Sequence, residues 1–355
     1  MSRIAVRNRR TLLALALAVA IPVLVSACGS SSPAPKASAA PAKATGGLAP
    51  GDPTSIKVIV TNSTGNFVIP WLVGEKQGFF QQHGVTVSGI VNATGGIASL
   101  QTMLSGSIPI GEIGFPAVVQ GAAKGLPIVA VGGATQSLFG ANFYTMATNS
   151  KVQTINDIKT WGYPNAGSVV QALTYLLPQK VGVPSAGVQR VATGTIGNGA
   201  ALLEAGKIDV AALPFTVPAA TPGKFRLVVD TSKVLNPFQQ SVITVTSSFA
   251  KAHPAVVNAV LAGYQQSVDW IASNMQTAAG YYAAFSQLAA PLALETVQGS
   301  VAADNWGVGF NAAAMRTAAD GMRATGYTAP IDYCSLFNAS FLPAGASSTL
   351  PVACK

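Results

Sequence analysis

From residue 54 onward the chain alternates short apolar runs with stretches whose apolar residues recur every three or four positions, the pattern of an α/β protein. Runs at 56–60, 85–91, 108–113 and 128–131 read as strands. Between them 70–80, 97–104 and 116–124 read as helices, with Pro70 in a first turn, where no N–H is required. A second set begins near Phe143. It comprises a short helix over 154–159 opened by a Thr154 cap, a helix over 169–177, strands at 188–192, 208–213 and 225–229, and a helix over 200–204. The run 241–246 closes this set, and 248–326 is mostly helical, with His253-Pro254 at a helix start. Two βα sets followed by helices imply two lobes: the chain leaves the first, builds the second and returns.

Composition sharpens this. The 355 residues suit two domains, and 49% apolar residues are ample for packed cores, which excludes a disordered chain. Charged residues are only 9%. Four of the basic ones, Arg3, Arg7, Arg9 and Arg10, precede an apolar stretch over 11–25 that is short for a membrane span and interrupted by Pro22. The stretch ends in Val25-Ser26-Ala27-Cys28, the aliphatic–small–small–Cys pattern of a bacterial lipoprotein signal. Residues 1–27 are therefore expected to be a cleaved signal peptide, and Cys28 the lipidated residue. Two acyl chains anchor a protein to a membrane without a spanning helix. Without the four leader arginines, 17 basic residues face 12 acidic ones with no run long enough to follow phosphates, so nucleic acid is not an expected partner. Segment 28–53, rich in Ser, Pro, Ala, Gly and Lys and without an aromatic residue, reads as a disordered tether. The remaining cysteines, Cys334 and Cys354, are expected to form a disulfide that staples a tail over 331–355, since pairs oxidise outside the cytoplasm. The only histidines, His83 and His253, lie far from both in sequence, so no metal site is expected.

Four segments then carry a resemblance. Residues 71–80 (WLVGEKQGFF), 104–111 (LSGSIPIG), 203–211 (LEAGKIDVA) and 249–257 (FAKAHPAVV) resemble, in order, motifs of the nitrate/sulfonate/taurine/thiamine-pyrimidine group of ABC-transporter substrate-binding proteins. The resemblance implies a type II periplasmic-binding-protein fold: two α/β lobes joined by a two-strand hinge, with a ligand cleft between them. The discontinuous first lobe is expected over 54–141 and 242–330 and the second over 142–241, with crossings near 140–144 and 239–243.

In open parallel sheets the ligand lies beyond the carboxyl ends of the strands. That rule and the resemblance give the candidate ligand-binding residues Asn62, Thr64, Asn66, Phe67, Thr94, Gly95, Gly96, Gly114, Phe115, Asn142, Asn165, Gly167, Ser168, Phe215 and Thr216. Glycines before helices admit close approach, and free N–H groups at helix starts attract anionic or strongly polar groups. Ser168 adds a hydroxyl donor. The loop at Gly197-Asn198-Gly199 is read as a turn and cap. The segments bordering the expected cleft contain one charged residue, Glu112, and no cation for a bidentate clamp. Recognition then rests on neutral hydrogen bonds, helix dipoles and aromatic faces such as Phe67, Phe115, Phe139, Tyr144, Trp161 or Phe215. Glu112 reads as a solvent-facing strand residue, with a ligand amine as its alternative partner, and Trp71, Trp270 and Trp306 as core.

The resulting expectation is a lipid-anchored, extracytoplasmic receptor. It captures a small polar or aromatic molecule of the sulfonate, taurine or pyrimidine kind by lobe closure and delivers it, as a monomer, to ABC permease and ATPase subunits. No cofactor and no catalytic residue are expected, since no P-loop, nucleophile elbow or zinc motif is present. Two other readings stay open: an enzyme on the same fold, resembling the thiamine-pyrimidine synthases, and a surface or signalling lipoprotein without transport.

Overall fold

The computed structural model describes residues 47–354 apart from 62, 64, 94, 107 and 185, and the side chain of Ile196 is also left out. The expected signal peptide, Cys28 and most of the expected tether lie outside the described residues. The tether expectation runs to residue 53, yet the end of that segment is fastened to the body. Leu48 packs against the core, and Asp52 meets His253 Nδ1 at 2.7 Å while accepting from the Ala49 N–H at 2.8 Å. Those two hydrogen bonds hold the Asp52 carboxyl below its ordinary range.

Among the described residues ten strands form two five-stranded sheets. The first holds β1 (Ser55–Thr61), β2 (Thr86–Ala93), β3 (Ile110–Gly114), β4 (Ile128–Gly133) and β10 (Ser241–Thr246), in the order β2-β1-β3-β10-β4. The second holds β5 (Phe143–Met146), β6 (Thr160–Tyr163), β7 (Gln189–Ala192), β8 (Val210–Ala212) and β9 (Phe225–Val229), in the order β7-β6-β8-β5-β9. β1 is parallel to β2 and β3, and β6 is parallel to β7 and β8. The antiparallel strand within each sheet is the one that enters from the other: β5 beside β8 and β9, and β10 beside β3 and β4. The run 241–246 thus pairs with the first sheet, although it follows the second set in sequence.

β6 is absent from the sequence pattern, and the helix expected over 154–159 shrinks to a single 3₁₀ turn, Ile155–Asp157. The cause is local. Thr154 and Asp157 close a reciprocal capping box, and Ile158 is already extended. β6 is only four residues long and two of them, Trp161 and Gly162, are buried, too short a run for period-2 alternation to show. The helix expected over 70–80 breaks at Gly78 into Ile69–Gln77 and Phe79–Gln82.

The core explains the order of elements. Helix Pro254–Ser273 packs on helix Ile69–Gln77 and buries Val256, Val260, Leu261 and Tyr264. Trp71 is fully buried there, edge-on to Tyr264 with ring centroids 5.0 Å apart. Trp306 is buried as expected, whereas Trp270 is only partly covered, against Phe79. Helix Ala312–Ala324 packs on both Phe115–Ala123 and Val169–Lys180, helices that follow strands of different sheets. Cys334 and Cys354 form the expected disulfide. Within the loop it closes, the tail is tied down: Thr349 N–H donates to the Phe310 carbonyl at 2.8 Å, and Ala312 N–H to Thr349 Oγ1 at 3.1 Å. Among the described residues no helix is long and apolar enough to cross a membrane.

Candidate ligand-binding cleft

A cleft of about 520 Å³ lies between the two sheets. Its walls come from the carboxyl ends of six of the eight parallel strands: Thr61 at the end of β1, Asn92 in β2, Gly114 in β3, Pro164 and Asn165 after β6, Gly194 and Thr195 after β7, and Leu213 after β8. Gln240 and Ser241 reach it from the start of β10, and Ser286 from the end of helix Met275–Ser286.

Six helical starts open into the same space. They begin at Asn66, Gly96, Phe115, Val169, Ile196 and Thr216, and the lining includes Asn66, Gly96, Pro116, Val169, Gly197 and Thr216. Ser168 Oγ accepts the Gln171 N–H and Thr195 Oγ1 the Asn198 N–H, both at 3.1 Å, so the helices behind them are capped internally. Helix Gly96–Leu104 has no side-chain cap, nor has Phe115–Ala123. The first turn of Gly96–Leu104 leaves amide hydrogens at the cleft, where the helix dipole favours negative charge, whereas Phe115 N–H donates to the Gln240 carbonyl at 2.9 Å and Pro116 has no N–H to offer.

The structure brings together Asn66, Phe67, Gly95, Gly96, Gly114, Asn165, Gly167, Ser168, Phe215 and Thr216 of the expected site residues. Asn62, Thr64 and Thr94 lie outside the described residues. Phe115 and Asn142 are elsewhere. The Phe115 ring is wholly buried and stacked on Phe337, with centroids 5.8 Å apart, because the first helical residue after a central strand turns toward the core. Asn142 Oδ1 accepts the Thr231 N–H at 3.2 Å and so ties the residue before β5 to the helical turn Thr231–Val234, and Asn142 is not in the lining. Of the other aromatic candidates, Phe139 lines the cleft, and Trp161 is buried edge-on against Phe143.

Several groups are spent on architecture. Gly167 N–H donates to Gln171 Oε1 at 2.7 Å. Asn66 Nδ2 donates to the Phe139 carbonyl and to Ser300 Oγ, each at 3.3 Å, and Asn92 Oδ1 accepts the Ser63 N–H at 3.0 Å. Thr61, Asn92, Gln240, Ser241 and Ser286 line the cleft without having been picked from the sequence. Thr61 and Asn92 were within reach of the strand-end rule. Gln240 and Ser241 required the pairing of β10, and Ser286 required the packing of a helix remote in sequence.

Every residue lining the cleft is uncharged. Glu112 is neither solvent-facing nor in the lining: it is fully buried. Its Oε2 accepts Trp71 Nε1–H at 2.7 Å, and its Oε1 accepts Thr135 Oγ1–H at 2.9 Å and Ser241 Oγ–H at 2.6 Å. Burial pushes its carboxyl up to about 7 against the opposing pull of those three donors. β3 is the middle strand of its sheet, and its positions from Ile110 to Ile113 are all buried; only Gly114, at its end, reaches the cleft. Among the described residues no cluster of His, Cys, Asp and Glu suits a metal ion.

Two sheets, each receiving one antiparallel strand from the opposite crossing, around a cleft at the strand ends define the type II periplasmic-binding-protein fold. The chain belongs to the NMT1/THI5 like family, whose model matches residues 66–278. Among solved structures it is similar to the periplasmic aliphatic sulphonate binding protein SsuA from Escherichia coli, with a TM-score of 0.66 and 17% identity over 85% of this chain and 97% of that one. It is similar also to the alkanesulfonate-binding protein SsuA from Xanthomonas axonopodis pv. citri bound to MOPS, with a TM-score of 0.66 and 16% identity over 81% and 99%. The ligand binding component of an ABC-type import system from Staphylococcus aureus, with zinc bound, gives a TM-score of 0.68 and 13% identity over 83% and 99%. No curated protein matches the sequence.

Proposed function

We propose that this chain is the extracytoplasmic solute-binding component of an ABC importer. It captures a small polar or aromatic organic molecule, of the sulfonate, taurine or pyrimidine kind, and presents it to a permease driven by an ATPase. The observation that carries this reading is the uncharged cleft of about 520 Å³ onto which six helical starts converge. Such a site suits a ligand with one compact anionic or polar head, met by amide hydrogens, and an apolar body, met by Phe67, Phe139 and Phe215. It has no cation for a multiply charged anion. Family membership and the sulfonate-binding neighbours support the same class.

The lobes are 54–141 with 242–330, and 142–241, followed by the stapled tail. They close on the ligand by rotation about the two crossings, and no bond is made or broken. The protein acts as a monomer held at the membrane by a lipid on Cys28, after removal of residues 1–27. Native mass spectrometry of the body from residue 47, followed by thermal shifts against sulfonates, taurine, pyrimidines and aromatic acids, tests the binding function. A ligand at a hundred times its Kd adds about 2.7 kcal/mol of stability, a shift of several degrees. A blank across the panel sinks the ligand class. Partition of the full-length protein into detergent, lost in Cys28→Ser, tests the anchor.

A further inference from the structure

We propose that Glu112 decides, through Ser241, which hydrogen-bonding face the floor of the cleft shows to its ligand: charged, it makes Ser241 an acceptor, and protonated, it makes Ser241 a donor, so an anion binds with uptake of one proton. The proposal rests on the binding function proposed above and adds its proton linkage.

The geometry is a relay of two side chains. Ser241 lines the cleft, and its Oγ–H donates away from it, to Glu112 Oε1 at 2.6 Å. The same Oγ accepts the Thr135 N–H at 3.2 Å. What remains for a ligand is a lone pair, which repels an anion. A proton taken from solvent by Glu112 belongs on Oε1, because the partner of Oε2 is the indole N–H of Trp71, which only donates. Oε1–H then donates to one of two hydroxyls that formerly donated to it, and that hydroxyl must redirect its own hydrogen. Thr135 is fully buried, and a hydrogen turned away from Glu112 there would be orphaned at a cost of about 1–3 kcal/mol. Ser241 is itself only 1% exposed, but it lines the cleft, which Thr135 does not. The relay therefore ends with Glu112 donating to Ser241 and Ser241 donating to the ligand.

The surroundings leave Glu112 as the group that responds near neutral pH. In register, its neighbours on β1 and β10 are Val60 and Ile243. From helix Pro254–Ser273 the titratable group coupled to it is Tyr264, whose phenol burial holds well above its ordinary value and hence protonated. The charged residues on the packed elements lie outward: Lys57 and Asp269 are exposed, and Glu75 pairs with Lys76 at 3.4 Å. No residue lining the cleft titrates near neutrality, and the two histidines are engaged elsewhere, His83 with Gln266 and His253 with Asp52. Burial has already moved the Glu112 carboxyl to about 7, which places the switch within the working range of an extracytoplasmic protein.

The first test needs no ligand. The chain has four glutamates, so carboxyl-¹³C glutamate labelling gives four signals, and Glu112→Gln identifies the one from Glu112. That signal is expected to titrate near neutral pH and to move to a higher midpoint in Ser241→Ala, which removes a donor from the charged form. A midpoint in the ordinary carboxyl range, or one unmoved by Ser241→Ala, overturns the proposal. The second test titrates benzenesulfonate, an anion at every pH used, by calorimetry at about pH 5.5 and about pH 8.5. Binding is expected to be roughly tenfold tighter at the lower pH, with proton uptake near neutrality. Glu112→Gln is expected to erase the pH dependence, and so is Ser241→Ala. A slope that survives in Ser241→Ala means that bare charge repulsion acts without the relay, and it overturns the proposal. Failure of benzenesulfonate to bind at either pH counts against the proposed ligand class, while the Glu112 titration and its response to Ser241→Ala still decide the relay.

Discussion

Gln120 and Gly167 meet beside the cleft so closely that a Cβ on Gly167 would lie 2.8 Å from Gln120 Oε1. Gln120 belongs to helix Phe115–Ala123, after β3 of the first sheet, and Gly167 to the loop after β6 of the second. Gly167 has φ +75°, so any other residue there also takes on about 1–2 kcal/mol of left-handed strain. The contact gives the glycine a role beyond that of a turn: it lets the two walls approach.

Gly167→Leu is accordingly expected to weaken ligand binding at least tenfold by holding the walls apart, with the fold retained. Calorimetry with a ligand found in the screen measures this, and circular dichroism checks the fold. Adding Gln120→Ala is expected to restore part of the loss, since it removes the colliding amide but not the backbone strain. Equal affinity for Gly167→Leu and the parent would show that this approach plays no part in binding.

Glu112 also makes stability depend on pH, with a sign opposite to that of most carboxylates. Its folded pKa, about 7, lies above the ordinary value of 4.5, so between these values the folded state holds a proton that the unfolded state has lost. Its contribution is therefore complete below about pH 4.5, declines as pH rises and is gone above about pH 7, a change on the order of 3 kcal/mol. Urea unfolding at several pH values is expected to show this decline in the parent and its absence in Glu112→Gln. The depressed carboxyls of Asp52, Asp157 and Asp332 act in the other direction, lending stability that is lost as pH falls through their lowered values, so the two effects occupy separate windows.

What the sequence made legible follows from the range of the forces involved. The strand-end loops and helix starts are local, fixed by Gly, Ser, Thr and Pro within a few residues, and ten of the proposed cleft residues were named from them. Glu112 departs from its sequence expectation because a carboxylate in a strand is ordinarily exposed, and only the position of β3 in the middle of its sheet shows otherwise. Phe115 and Asn142 sit at suitable places in the chain but turn away, toward Phe337 and Thr231, through contacts 222 and 89 residues distant. Ser241 became visible only with the antiparallel pairing of β10 to β3.

The disulfide Cys334–Cys354 spans 20 residues, a loop whose closure is worth about 3 kcal/mol in the chain-entropy model. The segment it holds supplies Thr349 to the start of helix Ala312–Ala324, which packs on helices following strands of both sheets. Replacing both cysteines by serine is expected to lower Tm by several degrees under oxidising conditions. The parent treated with reductant should fall to the same value. An unchanged Tm in the double variant would show that the tail's hydrogen bonds to Phe310 and Ala312 suffice.

Gly299 and Phe139 allow stability and recognition to be separated. Gly299 lies within helix Ala290–Ala302, where alanine is favoured over glycine by about 1 kcal/mol in propensity. A Cβ there would come 2.1 Å from Phe139 Cζ, and Phe139 is one of three phenylalanines lining the cleft. The ring has to move, and the cleft lies beside it. Gly299→Ala is thus expected to leave Tm nearly unchanged, as helix propensity offsets the displaced ring, while reducing affinity for a ligand with an aromatic body more than for a small aliphatic sulfonate. Calorimetry with benzenesulfonate and methanesulfonate on the same variant reads this difference. Equal losses for both would mean that Phe139 shapes the cleft without touching the ligand's body.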